Sequence, residues 1–236
     1  MNRIKKLVKN LTNVIYHTVI YSSVPPKYEW DLNWGNLMKM MQKYVNASYT
    51  VSKIPLSNDT DSYKWVGAVC VKNSVYGIPN CNENYIIFNC NTNKITLHGE
   101  FSKNPFKWSG GATWNGKIYG FPRTSNALLI INPANSEESK EVSLGTDYKT
   151  EHHYGGAITK KGTLYQPPRN CDHILKINLD SMKVEKVYLP IKGYKHRYCG
   201  SIYHPNGLIY FCPESRERVM VLDPKTDKVY FIGRPI

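Results

Sequence analysis

Long apolar runs are missing from this chain of 236 residues. No window approaches the roughly 18 consecutive apolar residues of a membrane-crossing helix, so no helical span is expected. The opening residues, Met1-Asn2-Arg3-Ile4-Lys5-Lys6, lack the apolar core and small-residue cleavage site of a signal peptide. Paired cysteines are missing as well. The six, Cys70, Cys81, Cys90, Cys171, Cys199 and Cys212, form no Cys-x-x-Cys pair, and no histidine stands at zinc-finger spacing. No metal is therefore expected. Cys70, Cys199 and Cys212 fall within apparent strands, where a reduced cysteine acts as a small hydrophobe. An intracellular, cytoplasmic setting is the expectation. The acid-free basic start leaves mitochondrial targeting as the alternative.

Acid is scarce: 18 Asp plus Glu face 31 Lys plus Arg, a formal charge of +13. That balance bears on partners and says nothing of fold. Residues 1–28 carry five basic residues and no acid, and residues 160–197 carry nine against three. No long Lys/Arg block stands alone. Catalytic signatures are also wanting. There is no glycine-rich phosphate loop, no Gly-x-Ser-x-Gly, no His-Glu-x-x-His and no calcium loop of alternating acids. No cofactor is expected, and the reading favours a protein that is not an enzyme.

Periodicity is what the chain does have. Hydrophobic residues make up 41%, enough for a real core, and 18 tyrosines suit pleated, half-buried surfaces. Four segments repeat: Lys64-Trp65-Val66-Gly67-Ala68, Lys107-Trp108-Ser109-Gly110-Gly111, His152-His153-Tyr154-Gly155-Gly156, and His196-Arg197-Tyr198-Cys199-Gly200-Ser201. In the fourth, Cys199 shifts the match, which sets His196-Arg197 in the Lys-Trp position. Each segment is followed by Tyr-x-x-Pro, at Tyr76, Tyr119, Tyr165 and Tyr210, spaced by 43, 46 and 45 residues. An apolar run and a short closing strand complete each copy. Asn115-Gly116, Lys161-Gly162 and Asn206-Gly207 mark hairpins between the first and second runs. Asn93, Ser181 and Asp223-Pro224-Lys225-Thr226-Asp227 mark the turn between the third and fourth.

Four short strands in about 45 residues is the pattern of a β-propeller blade. The expected class is all-β, with four blades at residues 63–104, 105–150, 151–193 and 194–236. The run Val221-Leu222-Asp223-Pro224-Lys225-Thr226-Asp227-Lys228-Val229 resembles the strand turn of YVTN and kelch-like propeller repeats. The run from Lys107-Trp108 to Tyr119-Gly120-Phe121-Pro122 is similar to other propeller repeats. The resemblance covers residues 63–236 and implies a fold, not a function. Residues 1–62 match it poorly. Ile4, Leu7, Val8 and Leu11 make the stripe of a short basic helix, and Leu37, Met41, Tyr44 and Val45 that of a second. Residues 14–56 allow a divergent fifth blade.

Equivalent positions converge on one face of such a ring. The positions before the glycines hold Lys64, Trp65, Lys107, Trp108, His152, His153, His196 and Arg197. Those after Tyr-x-x-Pro hold Asn80, Arg123, Arg169 and Glu214. A mouth built from both sets would be cationic and aromatic, suited to carboxylates, phosphates or an acidic peptide. Against this stands plain packing of Trp65 and Trp108, with solvated arginines. Glu151-His152-His153 could seed a metal or acid–base site; His152 and His153 point to opposite faces if they lie on a strand, and an ordinary structural or surface role is the expectation. Three functions compete: a scaffold for a protein partner, an RNA- or polyanion-associated subunit, and a small-molecule or carbohydrate-binding propeller with hydrolase or lyase activity.

Overall fold

The computed structural model describes residues 63–146, 152–189 and 197–233. The chain divides into two compact units, Met1–Ile54 and Pro55–Ile236, and every described residue belongs to the second. The expected N-terminal helices, the possible fifth blade and His196 lie outside the described residues.

The described residues form four antiparallel sheets of four strands, each in plain sequence order. Blade one holds β1 (Trp65–Val71), β2 (Ser74–Pro79), β3 (Tyr85–Asn89) and β4 (Lys94–His98). Blade two holds β5 (Trp108–Trp114), β6 (Lys117–Pro122), β7 (Ala127–Ile131) and β8 (Lys140–Ser143), with a single 3-10 turn, Ser136–Glu138, before β8. Blade three holds β9 (Ala157–Ile158), β10 (Thr163–Gln166), β11 (His173–Asn178) and β12 (Val184–Tyr188). Blade four holds β13 (Tyr198–Tyr203), β14 (Ile209–Pro213), β15 (Val219–Asp223) and β16 (Lys228–Ile232).

Local chemistry explains the meander. Asn89, Asn132, Asn178 and Asp223 each close a third strand and accept backbone N–H bonds from two residues on. The turn residue that follows takes positive φ at Asn93, Met182 and Asp227 in blades one, three and four. In blade three this places the left-handed residue at Met182, one past the serine that the sequence suggested. The hairpins at Asn115-Gly116, Gly162 and Gly207 also use positive φ.

The third strand of blade two, β7, is apolar throughout because neighbouring residues cover it on both faces. In β7, Leu129 and Ile131 join a core with Ile78, Tyr85 and Trp108 of the first two blades. Leu128 and Ile130 face the other way, into a core with Leu164, Leu175 and Ile177 of blade three. A third core joins Tyr165 and Ile174 to Tyr198, Phe211 and Met220 of blade four. Fully burying each such side chain contributes about 1.5–3 kcal/mol. Outer strands alternate instead: β16 exposes every second residue.

The first strands β1, β5, β9 and β13 neighbour one another in that order. Gly67, Gly110 and Gly200 on these strands, and Gly155 just ahead of β9, carry φ between 70 and 79°. A Cβ on Gly67 would stand 2.7 Å from the Cα of Gly110, and one on Gly155 2.8 Å from that of Gly200. Only glycine satisfies both the backbone conformation and the approach.

Each of these glycines lies in a bulge bounded by a repeated pair: Trp65 opposite Pro79, Trp108 opposite Pro122, His153 opposite Pro168, Tyr198 opposite Pro213. The fourth pair corrects the register read from sequence. Arg197-Tyr198, not His196-Arg197, occupies the Lys-Trp position, and Cys199 is no insertion.

Candidate functional site

Backbone hydrogen bonds bring the two sets of repeat positions together in every blade. The N–H of Asn80 donates to the Lys64 carbonyl at 2.8 Å, Arg123 to Lys107 at 2.8 Å, Arg169 to His152 at 2.8 Å and Glu214 to Arg197 at 3.1 Å. The eight residues therefore share one end of the inner strands. Burial then sorts them.

Lys107 and Trp108 are sealed, at 1% and 0% exposure. The Lys107 ammonium donates to the carbonyls of Asn82 and Asn104 and sits 5.3 Å from the Trp108 ring centre. Burial lowers its pKa, against the pull of Glu141 and other nearby groups. The Trp108 indole donates to the Ala127 carbonyl, and that of half-buried Trp65 donates in the same way to Asn84. Both indoles are therefore anchored inside their own blades. Arg197 is 6% exposed and donates to the Cys171 carbonyl at 2.7 Å. Lys64 and His152 are half-buried.

At the same end, Arg123 and Arg169 belong to a ribbon of alternating rings and cations. Tyr63 and Phe106 are 6.2 Å apart, ring centre to ring centre. The Arg123 guanidinium stands 4.8 Å from Phe106 and 5.0 Å from Tyr154. Arg169 covers Tyr154 at 5.1 Å and clasps Glu214 through two bonds, 2.8 and 2.7 Å. One residue or more from each blade takes part. Tyr63 and Phe106 are 68% and 37% exposed and hold φ of 56 and 57° at matching positions, where an aromatic residue is strained. The N–H groups of Cys81 and Thr124 pin their carbonyls. Tyr63, Phe106 and Tyr154 escape a reading of sequence because the backbone twist that exposes the first two has no residue signature.

Beside the ribbon, His153 replaces the indole found in blades one and two. It is 1% exposed, and its Nδ1 lies 3.0 Å from the Pro167 carbonyl. Burial drives its pKa down to about 3 and so keeps the imidazole neutral. Cys171 Sγ lies 3.9 and 3.8 Å from its two ring nitrogens. The His173 ring packs edge-on at 5.4 Å, with Nδ1 3.0 Å from an Asp172 carboxylate oxygen. Burial lifts the Cys171 thiol to about 11 and lowers His173, which Asp172 partly offsets. One donor atom from each of His153, Cys171 and His173 lies within 4.8 Å of the others. The clue in the sequence was Cys171-Asp172-His173, three residues after Pro168.

No protein-family model matches the chain, and no curated protein sequence does. Solved structures do match. A streptogramin B lyase superposes with a TM-score of 0.62 at 15% identity, over 76% of this chain and 57% of its own. Virginiamycin B lyase from Staphylococcus aureus gives 0.61 at 15%, over 75% and 57%. A structural-genomics protein from Bacteroides thetaiotaomicron gives 0.56 at 15%, over 74% and 45%. The described residues are thus an all-β assembly of propeller blades, and the chain spans a little over half the length of the lyases it resembles. At these identities the likeness concerns fold. It does not carry the narrower YVTN and kelch-like resemblance. Among the described residues no helix is long and apolar enough to cross a membrane.

Proposed function

We propose that this propeller is a non-enzymatic binding platform whose ribbon of rings and guanidinium groups receives an acidic segment of a partner protein. The observation that carries the reading is Arg123 held between Phe106 and Tyr154. A guanidinium fixed against ring faces keeps its edge oriented for a carboxylate, and pre-orientation reduces the entropy lost on binding. Glu214 interrupts the cationic run, which favours a short acidic segment over a long continuous polyanion such as RNA. The lyases' fold supports the scaffold of this reading and leaves the chemistry to the site.

The test is a titration of the full chain with a fluorescent Glu-rich peptide and, separately, with single-stranded RNA. Arg123→Ala should weaken the peptide about tenfold, equal to about 1.4 kcal/mol, with an unchanged melting temperature. Equal peptide affinity for wild type and variant would contradict the proposal. Tighter RNA binding that falls steeply with salt would replace it with the polyanion reading.

A further inference from the structure

We infer that His153, Cys171 and His173 form a three-ligand site for a divalent metal of the zinc class, set beneath the loop that carries Arg169. The donors come from three places that the fold joins: the bulged inner edge of blade three, the loop of residues 167–172, and the first residue of β11.

Their spacing suits the ion. Zinc bonds of about 2.3 Å to sulfur and about 2.0–2.1 Å to nitrogen place tetrahedral donors about 3.4–3.6 Å apart. Cys171 Sγ stands 3.8 Å from His153 Nε2 and 3.9 Å from Nδ1, so a rotation of these side chains is needed to aim Nε2 and the sulfur at one ion. One donor atom of each residue lies within 4.8 Å of the others, so binding would draw the three side chains together. Two imidazoles and a thiolate select a borderline, soft-leaning ion and discriminate against calcium and magnesium, which take oxygen.

The surroundings supply the orientation that metal-bound histidines require. Each histidine has an acceptor at Nδ1: the Pro167 carbonyl for His153 and the Asp172 carboxylate for His173, both at 3.0 Å. An acceptor at Nδ1 places the proton there and leaves Nε2 as the basic nitrogen. The thiolate and the Asp172 carboxylate together offset a divalent ion, while Arg197 and Lys186 stand close by and moderate the affinity. Binding releases the Cys171 proton to solvent. Three protein donors leave one position for a water. The bound ion would hold residues 167–172 firmly, and with them Arg169.

Cobalt(II) titration of the chelator-treated full chain tests this independently of any peptide. One equivalent should bind, with a thiolate-to-cobalt charge-transfer band and visible bands of tetrahedral intensity, all displaced by zinc. Cys171→Ser should abolish the charge-transfer band, whereas Cys212→Ser should keep it. His153→Asn, which preserves an amide donor toward Pro167, should weaken affinity at least tenfold. Asp172→Asn lies outside the coordination sphere and should weaken it about tenfold while keeping the band. Absence of the band in wild type, or its survival in Cys171→Ser, would overturn the site. Should Cys171→Ser fail to fold, unchanged affinity in both His153→Asn and Asp172→Asn would do the same.

Discussion

Lys107 and Arg123 flank the same backbone hydrogen bond, yet the first donates to carbonyls in the interior and the second lies across two rings at the surface. Repeat position alone made both legible as candidates, because equivalent residues in a propeller converge. Burial separated them, and burial depends on what the neighbouring blade supplies. His153 shows the same limit. Its pairing with His152 suggested a surface or structural role, while its partners Cys171 and His173 arrive through the sheet and not through local spacing. Its pKa is near 3 against 6.5 for an ordinary imidazole. A folded value below the unfolded one means that the unfolded chain takes up a proton the native state refuses. Chelator-treated protein should therefore lose stability as pH falls from about 6.5 toward 3. The slope of urea midpoint against pH should be shallower in His153→Asn, which has no group to titrate there. Identical slopes would show that this imidazole is not held neutral.

The strands and turns were legible because each blade repeats the same chemistry. A glycine allows the close approach, Tyr-x-x-Pro ends the second strand, and Asn or Asp closes the third. The register of the fourth blade was misread by one residue because two basic residues, His196 and Arg197, imitate the Lys-Trp pair. The pairing of Tyr198 with Pro213 corrects it. The close approach yields a prediction at this scale. Gly155→Ala forces a Cβ to 2.8 Å from the Gly200 backbone, whereas Gly207→Ala meets open space, and both sites have positive φ. Both should lose about 1 kcal/mol for the conformation. Gly155→Ala should lose a further 1–3 kcal/mol, roughly, for the overlap. Chemical denaturation of the two variants side by side measures the difference. Equal losses would mean that the inner strands do not approach as described.

Across the whole described region, three apolar cores join successive blades into one body, and polar bonds cross the same interfaces. Tyr165 of blade three donates to Asp227 of blade four, and Gln166 reaches back to the Pro122 carbonyl of blade two. This rigidity lets residues from four blades hold fixed positions in one ribbon, which no single repeat could present. Amide hydrogen exchange on the full chain, with and without the Glu-rich peptide, tests that arrangement most directly. Added protection is expected in the segments around Phe106, Arg123, Tyr154 and Arg169 together, with the outer strands unchanged. Protection confined to outer strands, or none at saturating peptide, would contradict it.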